Sequence, residues 1–310
     1  MKLVFCGTPH FAVPSLKRLT ASGFDVQLVV TQPDRPQGRG MQLAAPPVKQ
    51  AAQELKLPVI QPEKIKTNQD FQDQLKRLQP QAIIVVGYGR LIPPWMLQLP
   101  PLGNINVHAS LLPKYRGAAP IQWAIAQGET VTGVTTMLLN EGLDTGDVLL
   151  QRNTEILPED TAITLSPRLA ESGAELLIET LRGLAGGTVH PAAQDHSLAT
   201  LAPILKKEAG QVDFRRPARE IYNRWRGFQP WPGAFTQFRG RGLKIVTLRV
   251  NESELKIADG ELLWDDEKLI VGCAGGGALE LVQLQPEGRK TISAREFVSG
   301  YRPIAGEKLG

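Results

Sequence analysis

Short, continuously apolar runs alternate with amphipathic, helix-spaced segments along the first part of this chain, and that alternation narrows the possible folds most. Residues 3–6 form one such run and end at Gly7-Thr8-Pro9, as a buried strand entering a turn does. Phe11, Leu16 and Leu19 follow at roughly helical spacing, up to a helix stop at Gly23. Residues 25–31 read as a second strand, 48–57 as a helix, 59–60 as a short strand and 68–78 as another amphipathic helix. A strand over residues 82–86 ends in Gly87-Tyr88-Gly89. Strands that are apolar on both faces must be covered on both faces, which is the condition of a parallel sheet. The expected fold is therefore α/β: a Rossmann-like, mostly parallel sheet with helices on both faces.

The pattern continues through a polar-bearing strand over 103–109, two strands over 134–139 and 148–152 joined by a turn at 140–147, and a long helix over 161–183. Residues 32–47, with four prolines and two glycines, read as a long polar loop. Beyond about residue 200 the apolar residues fall in short runs separated by glycines and charges, from Phe235 to Leu284, as in a small all-β barrel or sandwich. With 310 residues there is room for two domains of ordinary size. The expected division is a first domain over 1–189, a linker over 190–206 and a second, β-barrel domain over 207–310.

Composition excludes several classes. A hydrophobic content of 42% rules against general disorder, and a net charge of +4 permits an anionic partner without requiring one. The two cysteines, Cys6 and Cys273, lie far apart and offer neither a disulfide framework nor a metal site, and Cys6 reads as a small buried hydrophobe. The apolar run at the N-terminus is too short for a signal peptide or membrane helix, and no later segment reaches membrane length, so a soluble, cytoplasmic protein is expected. Oligomeric state is not legible; a monomer is the expectation. Gly87-Tyr88-Gly89 lacks the third glycine of a dinucleotide fingerprint, since Ile92 holds that place. A phosphate loop and a paired-histidine zinc motif are both missing, so NAD, ATP and metal are poor candidates.

The chemistry-bearing stretch is residues 104–113. A strand alternates faces, so Asn106 and His108 share one side and Val107 takes the other. Both polar groups lie at the C-terminal end of an expected parallel strand, where open α/β sheets bind ligands. An amide that can hold a developing oxyanion beside an imidazole that exchanges protons near neutral pH suits acyl-type transfer. The same pair also reads as a polar cap on a sheet end. Residues 140–147 place three acids and two glycines in a tight loop. This is either a plain surface turn or the source of an acid that orients the histidine. Asp144, flanked by Leu143 and Thr145, is the preferred acid. His10, His190 and His196 read as solvated side chains.

Together these motifs carry a resemblance. Asn106-Val107-His108, Ser110-Leu111-Leu112-Pro113, the run from Tyr115 to Gln122 and Gly142-Leu143-Asp144-Thr145-Gly146-Asp147 resemble the 10-formyltetrahydrofolate-dependent formyltransferase superfamily. Residues 5–9, 31–36 and 38–40, with Gln229-Pro230-Trp231-Pro232-Gly233-Ala234, look like its branch that acts on charged initiator tRNA. The resemblance runs through essentially the whole chain. It implies Asn106, His108 and Asp144 as the catalytic set, with 10-formyltetrahydrofolate as formyl donor and the amino group of initiator methionyl-tRNA as acceptor. Ser110, Leu111, Leu112 and Pro113 would border the folate, Val86, Gly87 and Tyr88 would line its pterin pocket, and Asp144 would lie beside it. The second domain would be an oligonucleotide-binding-like barrel. His10, and Gly87 where an alanine commonly stands, depart from the pattern. With neither Cys nor an activated Ser in the set, direct amine attack through a tetrahedral intermediate is expected rather than a covalent enzyme adduct.

A large anionic acceptor calls for a basic surface. Between Phe214 and Val250 stand nine Lys or Arg (Arg215, Arg216, Arg219, Arg224, Arg226, Arg239, Arg241, Lys244, Arg249) against one acid, Glu220, with Trp225, Phe228 and Trp231 interleaved. Arg215, Arg216, Arg239 and Arg241 are the expected tRNA contacts there, although a solvated cationic face beside core aromatics is the plainer reading of such a run. The 32–47 loop carries Arg35 and Arg39, with Lys49 just beyond. By the resemblance, Arg39 would be its chief grip on the acceptor end. Two rival readings stand: the same catalytic set acting on glycinamide ribonucleotide, an amino sugar nucleotide or water, and an RNA-binding protein whose Rossmann-like half is inert.

Overall fold

Successive residues of the central strands are buried in two different cores, as a sheet covered on both faces requires. The computed structural model describes residues 1–37, 42–252 and 255–310. In strand β1 (Lys2–Gly7), Leu3 and Phe5 enter one hydrophobic cluster and Val4 and Cys6 the other. Helix α1 (Val13–Ala21) leads to β2 (Asp25–Val30). The loop expected over 32–47 instead contains two short strands, β3 (Arg35–Gln37) and β4 (Gln42–Ala44), paired antiparallel. Arg39 lies outside the described residues. Helix α2 (Pro47–Glu54), β5 (Val59–Ile60), α3 (Gln69–Leu78), β6 (Ala82–Val86), the short α4 (Pro94–Leu97) and β7 (Asn104–His108) follow. After α5 (Pro120–Ala126), the two strands expected around the 140–147 turn appear as β8 (Val131–Leu138) and β9 (Val148–Glu155), paired antiparallel, and α6 spans Ala162–Ala185.

The sheet runs β5-β2-β1-β6-β7-β8-β9. Pairing is parallel from β5 through β7, and β8 is antiparallel to both of its neighbours. The chain leaves β1 towards β2 and β5, then returns to the other side of β1 to lay down β6 and β7. The switch point therefore lies between the C-terminal ends of β1 and β6, where ligand crevices form in open α/β sheets. One face packs on Leu16 and Leu19 of α1, Val48, Ala51 and Ala52 of α2, and Leu177, Ile178 and Leu181 of α6. The other packs on Phe71 and Leu75 of α3 and Met96 of α4.

Two compact units result: Met1–Pro120, Val131–Glu155 and Leu165–Pro203 in the first, and Ile121–Thr130, Ile156–Thr164 and Ile204–Gly310 in the second. The segment expected as a linker is bound into the first unit as far as Pro203. Ala192 bridges to Val148, and Leu201 to Arg116. In the second unit, α7 (Ala218–Gly227) precedes an antiparallel sheet. Its strands are β10 (Ala234–Phe238), β11 (Arg241–Asn251), β12 (Leu262–Asp265), β13 (Lys268–Gly272), β14 (Ala278–Pro286) and β15 (Ile292–Ser293). Their order is β10-β11-β14-β13-β12, with β15 on β14. The β10–β11 turn, Arg239-Gly240, has both φ angles positive, at 50° and 71°, the backbone that suits a two-residue hairpin. Helix α8 (Ala294–Tyr301) starts at a capping box between Ser293 and Glu296, and Phe297 joins Phe238 in this unit's core. No helix among the described residues is long and apolar enough to cross a membrane.

Candidate active site

Strand β7 breaks the rule its neighbours keep. Ile105 and Val107 enter the same core as Ile84 and Val86, but its other face carries Asn104, Asn106 and His108 where β6 carries Ile83 and Val85. All three polar residues are buried, with Asn106 at 9% and His108 at 6% exposure. Asn104 serves the fold, since its amide donates to the carbonyls of Met96 and Leu97 at 2.9 and 3.1 Å and closes the end of α4. The Asn106 amide has no hydrogen-bond partner among the described residues, and neither its N nor its O is fully enclosed, so it is open to a ligand.

His108 is held at both nitrogens. Its Nε2 lies 2.9 Å from the Tyr115 carbonyl oxygen, and its Nδ1 lies 3.7 Å from Asp144 Oδ2. The same Oδ2 accepts a hydrogen bond from the Gly117 amide at 2.9 Å. The tripeptide Tyr115-Arg116-Gly117 thus grips the histidine with its first residue and the acid with its last. Asp144 sits at φ 50°, a left-handed conformation uncommon outside glycine. Around it the loop is tied by Asn140 Oδ1, which accepts from the Gly142 amide at 3.0 Å and from Thr145 Oγ1 at 2.9 Å. Leu143, whose place beside Asp144 favoured that acid over the other two, is 56% exposed. Asp144 is the acid beside His108, but the flanking residues are not the reason.

Asp144 is joined to a further residue that the sequence pattern did not single out. Gln194, in the segment read as linker, donates to the carbonyls of Asp144 and Gly146 at 3.0 and 2.6 Å. Its own carbonyl accepts from Arg116 at 3.1 and 2.6 Å. No spacing rule links residues fifty positions apart, so nothing in the sequence marks it. His196, exposed like His10 and His190, is within 3.0 Å of the Arg116 guanidinium through Nδ1.

The other expected contacts divide. Gly87, at φ 54°, exposes its backbone at the switch point, and a Cβ there would come within 2.9 Å of Pro9 Cγ. With that close approach and a positive φ, glycine suits this position in this chain. Val86 and Tyr88 are fully buried, so their side chains belong to the two cores. Burial pushes the Tyr88 phenol well above its ordinary range, and its carbonyl accepts from Thr8 Oγ1 and Gln32 Nε2 at 3.1 Å each. Thr135 ties the turn after β7: its hydroxyl donates to the Ser110 carbonyl at 2.6 Å and accepts from the Leu112 amide at 3.1 Å. Gln151 donates to the Leu112 carbonyl at 2.8 Å, and Ser110 Oγ to the Lys114 carbonyl at 2.6 Å. Ser110 and Leu112 are buried, while Leu111 and Pro113 are half-exposed. No group of His, Cys, Asp or Glu among the described residues is placed to hold a metal. Both cysteines are buried, and burial raises both thiols, Cys273 to about 12.

Three of the four basic residues expected to meet tRNA in the second unit already hold acids. Arg215 pairs with Asp213 at 2.8 Å, Arg216 with Glu220, and Arg239 with Glu307 at 2.6 Å. Arg226 is buried and donates to the carbonyls of Leu157 and Asp160. Arg241, Lys244 and Arg249 are exposed on β11 and have no ion-pair partner among the described residues. Arg35 is exposed; Lys49 is held by Asp34 at 2.7 Å, a contact that keeps the Asp34 carboxyl below its ordinary range. Of the aromatics, Phe228 is buried, Trp225 is half-buried with its indole donating to the Val246 carbonyl at 3.3 Å, and Trp231 is 54% exposed.

Comparison with known proteins adds lineage to this geometry. The formyl transferase family matches residues 1–181, and the formyl transferase C-terminal domain matches residues 204–302. Methionyl-tRNA formyltransferase of Koribacter versatilis is 64% identical over 310 residues, covering 100% of this chain and 99% of that protein. The protein of the same name from Acidobacterium capsulatum is 59% identical, with 100% of both chains covered. Among solved structures, the N-formyltransferase of Helicobacter canadensis, in complex with folinic acid and dTDP-3-aminofucose, shares the fold. The match has a TM-score of 0.68 at 18% identity and covers 92% of this chain and 99% of that one. The chain therefore belongs to the formyl transferase family, among the members that bear the name methionyl-tRNA formyltransferase.

Proposed function

We propose that the chain moves the formyl group of 10-formyltetrahydrofolate onto the free amino group of methionyl-initiator tRNA, by direct attack through a tetrahedral intermediate, with Asn106, His108 and Asp144 as the catalytic residues. The observation that carries the reading is the strand face on which Asn106, with no side-chain partner among the described residues, stands beside a histidine–aspartate pair. The full-length identity to proteins named methionyl-tRNA formyltransferase supports the acceptor.

The folate donor supplies the activated formyl group, and the residues here suit it. Gly87 exposes backbone at the sheet's switch point, and Leu111 and Pro113 offer half-exposed apolar surface at the end of β7. Ser110 and Leu112 shape that edge from within, Val86 and Tyr88 contribute backbone only, and Asp144 closes the far side. Asn106 donates to the oxygen that becomes an oxyanion as the amine attacks. His108 assists at the same oxygen and, through Nδ1, the nitrogen facing Asp144, passes a proton to the folate nitrogen as the bond from that nitrogen to the formyl carbon breaks and the tetrahedral intermediate collapses. Asp144 balances positive charge on the imidazole and takes part in removing the amine proton. In the second unit, Arg241, Lys244 and Arg249 lead the contacts to tRNA phosphates, with Arg215, Arg216 and Arg239 adding to the field. Arg35 and Arg39 act at the acceptor end.

The test is an acceptor series with 10-formyltetrahydrofolate: charged initiator tRNA, charged elongator tRNA, glycinamide ribonucleotide and an amino sugar nucleotide. Formylmethionine should be recovered from initiator tRNA at the highest kcat/KM by orders of magnitude. Preference for either small acceptor would overturn the assignment.

A further inference from the structure

We propose that Gln194 is a positioning residue for Asp144, and that through it the buried Arg116 and the segment after Gln194 set the separation between His108 and Asp144. The inference rests on Asp144 acting in catalysis as proposed above.

Gln194 is 8% exposed, while Pro191, Ala192 and Ala193 before it and Asp195, His196, Ser197 and Leu198 after it are exposed. A single side chain is turned inward from an otherwise solvated segment. Both of its amide hydrogens serve one loop, at the carbonyls of Asp144 and Gly146, and its oxygen takes both bonds from Arg116. These contacts close a ring. Asp144 is bound through its carboxylate to the Gly117 amide, and through its own carbonyl, by way of Gln194, to the side chain of Arg116. Arg116 and Gly117 are adjacent, and Tyr115 before them receives His108 Nε2. The ring is anchored from outside. The Thr200 hydroxyl accepts from the Tyr115 amide at 2.9 Å, the Thr200 carbonyl accepts from the Arg116 amide at 2.9 Å, and the Ala202 amide donates to the Arg116 carbonyl at 2.7 Å.

Two features make this a device for placement rather than a plug. Asp144 holds a left-handed backbone, which the loop needs a reason to keep, and Gln194 bonds the carbonyl of that same residue. The bonded partners of the histidine and of the acid lie two residues apart in one short segment, so a shift of that segment changes their separation directly. Misplacement by an ångström costs rate steeply in a site built on orientation.

Gln194→Glu separates the roles. It keeps an acceptor for Arg116 but loses both donors to the Asp144 loop. Single-turnover formyl transfer to charged initiator tRNA should slow about tenfold with folate affinity unchanged, measured well below a melting temperature that falls because the Asp144 and Gly146 carbonyls lose a donor. The rate–pH profile should change in the same sense as that of Asp144→Asn. The double variant Asp144→Asn/Gln194→Glu should be no slower than Asp144→Asn alone, since a residue acting through another adds nothing once that one is gone. If Gln194→Glu does not fold, Arg116→Lys takes its place in the same cycle, because it loosens the clamp and leaves both amide donors. Normal rate in the variant, or independent, multiplicative losses in the double variant, would overturn the inference while leaving Asp144 catalytic. Normal rate in Asp144→Asn would instead overturn the reading of the site itself.

Discussion

At the scale of single residues, the geometry of His108 settles what a sequence motif leaves open. A carbonyl oxygen can only accept, so the bond from His108 Nε2 to the Tyr115 carbonyl puts a hydrogen on Nε2. Nδ1 is then the nitrogen without a hydrogen in the neutral ring, and it is the one facing Asp144, 3.7 Å from its Oδ2. An amide at position 144 cannot balance charge on that ring. Asp144→Asn should therefore lower single-turnover formyl transfer on the order of 10²–10³-fold and alter the rate profile over roughly pH 6–9. A variant that tracks the parent across that range would make Asp144 a turn residue and nothing more. Asn106 and His108 were legible because strand geometry puts alternate residues on one face whatever the rest of the chain does. Asp144 was chosen from three acids in its loop by its neighbours in sequence and by the family resemblance, not by any spacing to His108. What selects it is its bond to the Gly117 amide and its φ angle, and both depend on contacts distant in sequence.

At the scale of elements, the alternation of apolar runs and helical periods was enough to place the parallel strands, because each must bury both faces. The β3–β4 pair inside the polar loop was missed: three-residue strands carry too little pattern to rise above the prolines around them. Strand β11 shows the limit for charge. Counting arginines found the basic region but could not tell which were already satisfied by carboxylates within the same unit. Arg241, Lys244 and Arg249 remain, with Lys244 and Arg249 pointing away from Leu243, Ile245 and Leu248, which fill the core. Replacing these three by alanine should reduce the slope of log tRNA affinity against log salt by roughly two or more. Replacing Arg215 and Arg216 should reduce it less, because their charge is already offset by Asp213 and Glu220 beside them. An equal loss of slope in both variants would show that the ion pairs do not withhold charge from the phosphates.

At the scale of the whole molecule, the chain is not divided by a single cut. Residues 121–130 and 156–164 belong with the C-terminal unit, where the Trp123 ring meets Phe228 edge-on at 5.4 Å and Arg226 serves the carbonyls of Leu157 and Asp160. The sequence counted Arg226 among the basic surface residues, because a buried cation has no signature in a charge run. Arg226→Ala should destabilise the protein by about 3 kcal/mol in urea unfolding, through loss of a buried guanidinium that donates to the carbonyls of Leu157 and Asp160 and to Asn223 Oδ1. A change under about 0.5 kcal/mol, the range of ordinary surface substitutions, would place Arg226 back on the surface. The central claim, that the unpaired amide and the histidine on β7 perform formyl transfer, meets its most direct test in single-turnover transfer from 10-formyltetrahydrofolate to charged initiator tRNA. Asn106→Ala and His108→Ala should each slow that step on the order of 10²–10³-fold, with folded structure and folate affinity retained. Near-normal rates in both purified variants would contradict the account.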